Sequence, residues 1–149
     1  MFTTPDEKSI EEIRSVIENL ARKLRAKDAS GVMSHYTADR VQFLLAPPLE
    51  YSGSNAINAD DVEEWFSSFE GPIGYEVREL RIHTSHELAF CCALNRLSGM
   101  KVGGMKTDLW LRWTVCFRKV EGQWKIVHEH ESVPFYMDGS DRAALDLHP

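Results

Sequence analysis

Residues 107–134 read TDLWLRWTVCFRKVEGQWKIVHEHESVP, and the fold turns on them. Two long runs rich in β-branched and aromatic residues flank Glu121-Gly122, the composition of a β-hairpin with glycine in its turn. Successive side chains of a strand point to opposite faces, so residues two apart share one. Arg112, Thr114, His128, His130 and Ser132 recur at that spacing, too polar for an ordinary core face and too orderly for a solvent face. They are read as the wall of a pocket.

Which residues meet across the hairpin depends on the turn. A two-residue Glu121-Gly122 loop pairs Val120 with Gln123 and sets Trp113 opposite His130. A three-residue loop from Val120 to Gly122, a type I turn closed by glycine in the left-handed region, sets Arg112 opposite His130 and Thr114 opposite His128. A slip of one residue inverts every side chain. The three-residue loop is preferred because it gathers the polar set. Trp110, Arg112, Thr114, Cys116, Trp124, Ile126, His128 and His130 then share a face. Leu109, Leu111, Trp113, Val115 and Phe117 fall on the other, beside Lys125, Val127, Glu129 and Glu131. Helices cover only one side of a sheet, and so large an apolar face is rarely left bare. A homodimer through Leu109, Leu111, Trp113, Val115 and Phe117 is therefore expected.

A chain of 149 residues is expected to form one domain, residues 1–149, with a core that needs no staples. Apolar content of 43% and charged content of 27% are those of a soluble globular protein. A net charge of −6 with scattered Lys and Arg argues against nucleic acid as a partner. No apolar run approaches a bilayer span and no signal-peptide pattern opens the chain, so no membrane partner is expected. Cys91, Cys92 and Cys116 are an odd set, best read as free thiols in a reducing cytoplasm.

Thr4-Pro5-Asp6-Glu7 is a helix start, and Ile10, Ile13, Ile17, Leu20, Ala21 and Leu24 mark the stripe of a helix reaching about Ala26. Asp28 caps a second, short helix expected to run through Tyr36, before a strand over 41–46. Asn58 caps a third helix with Val62, Trp65, Phe66 and Phe69 on one face, broken by Gly71-Pro72. Strands follow over 75–84 and 87–98, the first with a parity change between Val77 and Leu80 that signals a bulge. A turn of helix is expected near 142–145. Helices first and an antiparallel meander after them make an α+β fold, with helices on one face of a curved sheet.

That order and several blocks of sequence resemble the SnoaL-like branch of the nuclear-transport-factor-2-like superfamily, to which ketosteroid isomerases and polyketide cyclases also belong. The blocks are Tyr36-Thr37-Ala38-Asp39, Ala89-Phe90, Arg112-Trp113-Thr114-Val115, the run from Arg118 to Trp124, and the run from His128 to Pro134. The resemblance implies a cone-shaped fold enclosing an apolar pocket, and more often a homodimer than a monomer. Steroid-isomerase-like members carry a general-base Asp in the first strand shortly before a proline. Here that stretch is Val41-Gln42-Phe43-Leu44-Leu45-Ala46-Pro47, with no acid in it.

His130 is thus the first candidate for acid–base work, since an imidazole suits proton transfer near neutral pH. Arg112 across from it would hold an enolate or carboxylate. Tyr36, Phe43, Trp65, Asn95, Trp110, Thr114 and His128 are candidates to line the pocket, although helical spacing alone accounts for Trp65 as core. His35, His83, His86 and His148 sit near element ends, where solvation is expected. Gly122 followed by His128 and His130 imitates a cupin opening, but Pro134 and Phe135 stand where a cupin needs its Glu, so no metal is expected. With no phosphate loop, nucleophile elbow or CxxC, no cofactor is expected either. Two functions fit: a cofactor-free isomerase, cyclase or dehydratase acting on a small apolar carbonyl compound, or a non-catalytic ligand-binding or assembly domain.

Overall fold

The computed structural model describes residues 5–149. Helix α1 (Pro5–Arg25) buries Ile13, Ile17, Leu20 and Ala21, which recur at helical spacing. Acidic Asp6 and Glu7 open it and Arg22, Lys23 and Arg25 close it, each suited to its end of the helix dipole. The expected cap Thr4 lies outside the described residues. Helix α2 (Ala29–Met33) starts at Asp28, whose carboxylate accepts the Gly31 N–H at 2.9 Å. Helix α3 (Ala59–Ser67) starts on a reciprocal box in which Asn58 and Asp61 each accept the other's backbone N–H.

Strands β1 (Tyr36–Phe43), β2 (Phe69–Ser85), β3 (Leu88–Lys101), β4 (Lys106–Val120) and β5 (Gln123–Ser132) form one sheet in the order β1-β5-β4-β3-β2. β1 runs parallel to β5 and the other neighbours are antiparallel. Strand β1 takes up Tyr36, which the sequence reading gave to the second helix. Strand β2 continues through Gly71-Pro72, with a shift in its pairing to β3 between Glu70 and Ile73. The expected parity change in β2 is a bulge between Arg78 and Arg81, with Glu79 at φ 56°. It bends the longest strand so that the sheet curls around the helices. The tail near 142–145 is not helical: Ala143 forms a bridge with Phe135.

The hairpin corrects the preferred register. Val120 pairs with Gln123, and Glu121 and Gly122 sit at φ 51° and 81°, the geometry of a two-residue I′ turn. Farther along, Phe117 faces Ile126 while Cys116 faces His128, so Val127 is an extra residue on β5. Past this bulge Thr114 lies opposite His130 and Arg112 opposite Ser132. The expected Arg112–His130 pair is offset by two positions.

The faces are reversed as well. Leu111, Trp113, Val115 and Phe117 are buried in one cluster with Ile13, Ile17 and Leu20 of α1, and Leu109 packs against its edge. Trp124 and Ile126 join that cluster, not the polar set. The face expected to form a dimer is the chain's own core. An amphipathic helix needs an apolar surface to cover, and this is the sheet's most apolar one. The polar set is left outside.

Candidate functional site

The inner face of the sheet divides into a closed half and an open half. Near the turn, Phe117, Ile126, Val115 and Cys91 are sealed, and the Trp124 indole N–H donates to Glu12 of α1 at 3.0 Å. Toward the far ends of β4 and β5 the packing loosens. Tyr36, Tyr75, Val77, Leu97, Leu109, Glu131 and Val133 keep accessible surface there although they lie on the helix side. The Val127 bulge sets Glu129 and Glu131 on this inner face, across from Val115 and Trp113.

Glu129 is buried and held by three neutral donors: the Tyr36 hydroxyl at 2.5 Å, Gln42 Nε2 at 2.7 Å and the Trp113 indole N–H at 2.9 Å. Sealing a carboxylate from water is costly unless donors replace the water, and these do. Each comes from a neighbouring strand: Gln42 is the register partner of Glu129 on β1, and Trp113 stands diagonally across on β4. Among the described residues no Lys, Arg or His forms an ion pair with Glu129 or Glu131.

Among the described residues, Glu131, two residues on, has only the Leu45 N–H at 3.4 Å. Burial, and then the charge of Glu129, push its carboxyl up to about 8. The Tyr36 and Tyr75 phenols are pushed up too, by burial first and then by these carboxylates. Asn95 Nδ2 donates to the Tyr75 oxygen at 2.7 Å, and Tyr75 donates to no protein acceptor among the described residues. Two amide oxygens in this region, Gln42 Oε1 and Asn95 Oδ1, have no donor.

A groove of about 670 Å³ leads to Glu131. The loop after β1 forms its wall, with Leu45, Pro47 and Leu49, while Phe43 and His130 form its outer lip.

Of the residues singled out from sequence, Tyr36 and Asn95 lie in the interior. Trp65 packs against Phe66 and Phe69 at the core's edge. The others are on the outer face. Arg112 donates to Ser132 Oγ at 3.0 Å, Arg78 lies over Trp110, and Thr114 is exposed opposite His130. His128 Nδ1 bonds the Val41 carbonyl at 2.6 Å, and Phe43 packs edge-on against His128 and His130. Arg112 and His130 therefore neither meet nor face the interior, because the extra residue at Val127 shifts their pairing and the helices take the opposite face. Sequence reading missed Glu129, Glu131, Tyr75, Gln42 and Trp113 as site residues. The available signal was two carboxylates sharing a strand face with five large apolar side chains.

Among the described residues no three His, Cys, Asp or Glu side chains are grouped as metal ligands, and no helix is long and apolar enough to cross a membrane.

The profile of a SnoaL-like domain matches residues 13–136. The chain is similar to an NTF2-like protein of unknown function from Pseudomonas putida KT2440, with 31% identity over 95% of this chain and 97% of that one, and a TM-score of 0.83. It shares its fold with a presumptive scytalone dehydratase from Novosphingobium aromaticivorans DSM 12444 (17% identity, 91% of each chain, TM-score 0.76). It also shares it with the association domain of C. elegans CaMKII (14% identity, 85% and 97% of the two chains, TM-score 0.65). No curated protein matches the chain.

Proposed function

Because the chain belongs to the SnoaL-like family, with the fold of NTF2-like proteins, we propose that it is a cofactor-free acid–base enzyme acting on a small, largely apolar carbonyl compound. Isomerases, dehydratases and cyclases of this kind share one step, in which a proton moves next to a carbonyl while charge gathers on the oxygen. The observation that carries the reading is Glu131, a carboxyl at the end of an apolar groove whose proton affinity burial and Glu129 bring close to neutral pH. A group titrating near working pH serves best as a proton carrier. Tyr75, hydrogen-bonded to Asn95 and within reach of the charge of Glu131, is assigned as the donor for the carbonyl oxygen. Tyr36, Gln42 and Trp113 hold Glu129 as the fixed negative neighbour. The three free thiols support a reducing compartment, the cytoplasm.

The test is exchange of α-protons for deuterium in a panel of cyclic ketones, followed by NMR. Glu131→Gln is expected to slow exchange by roughly 10²-fold or more, and Tyr75→Phe by roughly 10²-fold. Arg112→Ala on the outer face should leave it unchanged. Exchange that survives in Glu131→Gln would refute the assignment.

The outer face favours a second reading, assembly. Leu88 and Phe90 are 60% and 48% exposed there, beside half-buried Cys92, Leu94 and Trp110. A homodimer through this patch is expected to sediment as a monomer once Phe90→Glu is introduced. A wild-type monomer at micromolar concentration rules the patch out.

A further inference from the structure

We infer that the loop over 44–49 is a lid, hinged at its two ends, that closes over an apolar ligand in the groove, with Leu45 and Leu49 as the side chains that cover it. Its place rests on the reading above, which puts the ligand in this groove, and not on the proton transfer assigned there.

The loop is tied at its base and loose above it. Gln42 and Tyr51 exchange both backbone hydrogen bonds at 2.9 Å, so the chain leaves and rejoins the sheet at one point. Before the loop, Phe43 packs edge-on against His128 and His130. After it, Asn55 Nδ2 donates to the Glu50 carbonyl and the Ser52 hydroxyl to the Glu50 carboxylate. Farther on, the Arg40 guanidinium holds the Ile57 carbonyl. Between these anchors, the described residues give the loop one hydrogen bond to the sheet, from the Leu45 N–H to Glu131 at 3.4 Å. The Tyr51 hydroxyl donates to the Pro47 carbonyl at 2.5 Å, and since Tyr51 belongs to the base, this bond stiffens the loop without fixing its tip to the site. Pro47 and Pro48 have a fixed φ and no N–H, so the tip changes surroundings without stranding a donor. Firm ends with few contacts between them are what a closing loop requires.

The composition fits a cover rather than a wall facing water. The run is Leu-Leu-Ala-Pro-Pro-Leu, with Leu49 96% exposed and Leu45 39%, yet both leucines line the groove. Across from them the groove is bounded by Phe43, His130 and Glu131. A ligand lying between loop and sheet touches both, and an inward swing of the loop takes the two leucines out of water along with it. A strongly polar ligand gains nothing from that closure, so Leu45 and Leu49 select for an apolar body. Closure also shuts water out from around Glu131, the service that a lid gives to proton transfer. A second copy is the poorer occupant. The exposed Leu88 and Phe90 stand at the opposite end of the sheet, near the β4–β5 turn, so a dimer through them leaves the loop free.

Hydrogen exchange of the intact protein, read by mass spectrometry with and without the neutral fluorophore N-phenyl-1-naphthylamine, tests the lid. Saturation with this probe is expected to slow amide exchange over 44–49 by roughly tenfold or more. Leu49→Ser takes little packing from the free protein, because the side chain is almost wholly exposed. It is expected to weaken probe binding by roughly tenfold, with the loss in the dissociation rate measured by stopped flow. Met137→Ser, at an equally exposed side chain outside the groove lining, should leave the affinity unchanged. Loop exchange indifferent to saturation, Leu49→Ser as tight as wild type, an equal loss in Met137→Ser, or no binding of the probe overturns the proposal. So does a change in the sedimentation of Leu49→Ser without probe, which would assign the leucine to a subunit contact. The two readings fail separately. A loop indifferent to the probe, with ketone exchange lost in Glu131→Gln, ends this inference alone. A loop that closes, with ketone exchange intact in Glu131→Gln, ends the acid–base assignment alone.

Discussion

Trp113→Ala is expected to destabilise the protein by about 3–5 kcal/mol, enough to threaten folding outright. The indole is 2% exposed at the centre of the inner face, where the helices leave little room for the core to collapse into a void. Its loss also strips one of three donors from the buried Glu129 carboxylate, and an acceptor deprived of a partner in the interior adds to the cost of the cavity. Trp113→Phe separates the two effects: most of the ring packing stays and the N–H goes, for an expected loss of about 1–3 kcal/mol. Urea unfolding followed by circular dichroism reads both. Arg112→Ala, on the neighbouring residue but facing solvent, should stay within about 0.5 kcal/mol. A Trp113→Ala protein as stable as Arg112→Ala would contradict the assignment of faces.

The second large effect is on the pH profile of stability. Burial and the charge of Glu129 raise the Glu131 carboxyl to about 8 from its ordinary 4.5. Between those values the folded chain binds a proton that the unfolded chain has lost, so stability falls as pH rises through this range. The penalty is absent below about pH 4.5 and complete above about pH 8, and it amounts to a few kcal/mol. His35 acts the other way. Burial lowers its imidazole below 6.5, so the unfolded chain takes the proton first and stability drops as pH falls through that region. Asp28, Asp39, Asp108 and Asp138 are held below the usual carboxylate range, so their contributions are lost only in more acidic solution. Above pH 9 the buried Cys91 thiol, pushed up to about 12, adds a fall of its own. The clean window therefore runs from about pH 6.5 to 9. Melting temperature is expected to decline across it in the wild type and to stay nearly level in Glu131→Gln. A level wild-type profile would show that Glu131 ionises normally.

Much of the fold was legible because local chemistry states it. The stripe from Ile13 to Leu24, the caps at Asp28 and Asn58 and the parity change in β2 each follow from side-chain spacing or a hydrogen bond within a few residues. The faces of the hairpin were not legible in the same way. Val127 carries no mark of a bulge: it is one β-branched residue after another, with neither glycine nor proline nearby. The polar set also invited a wrong inference. Orderly polar spacing on a strand is what a solvent-facing surface shows whenever the other face is claimed by helices. Glu129 and Glu131 were correctly grouped with Leu111, Trp113 and Val115. Two carboxylates in that company were as much a signal as the histidines.

The single additional residue at Val127 makes the character of the interior a matter of strand register rather than of residue choice. With the Glu121-Gly122 turn unchanged and the same residues laddered without the bulge, His128 would stand opposite Val115 and His130 opposite Trp113, both toward the helices. Glu129 and Glu131 would turn outward to solvent. One bulge therefore separates an acidic interior from an imidazole one with no side chain exchanged. Loss of Val127 itself would close the bulge and keep Cys116 opposite His128, so a deletion at this point is expected to spare the faces that a straightened strand would invert.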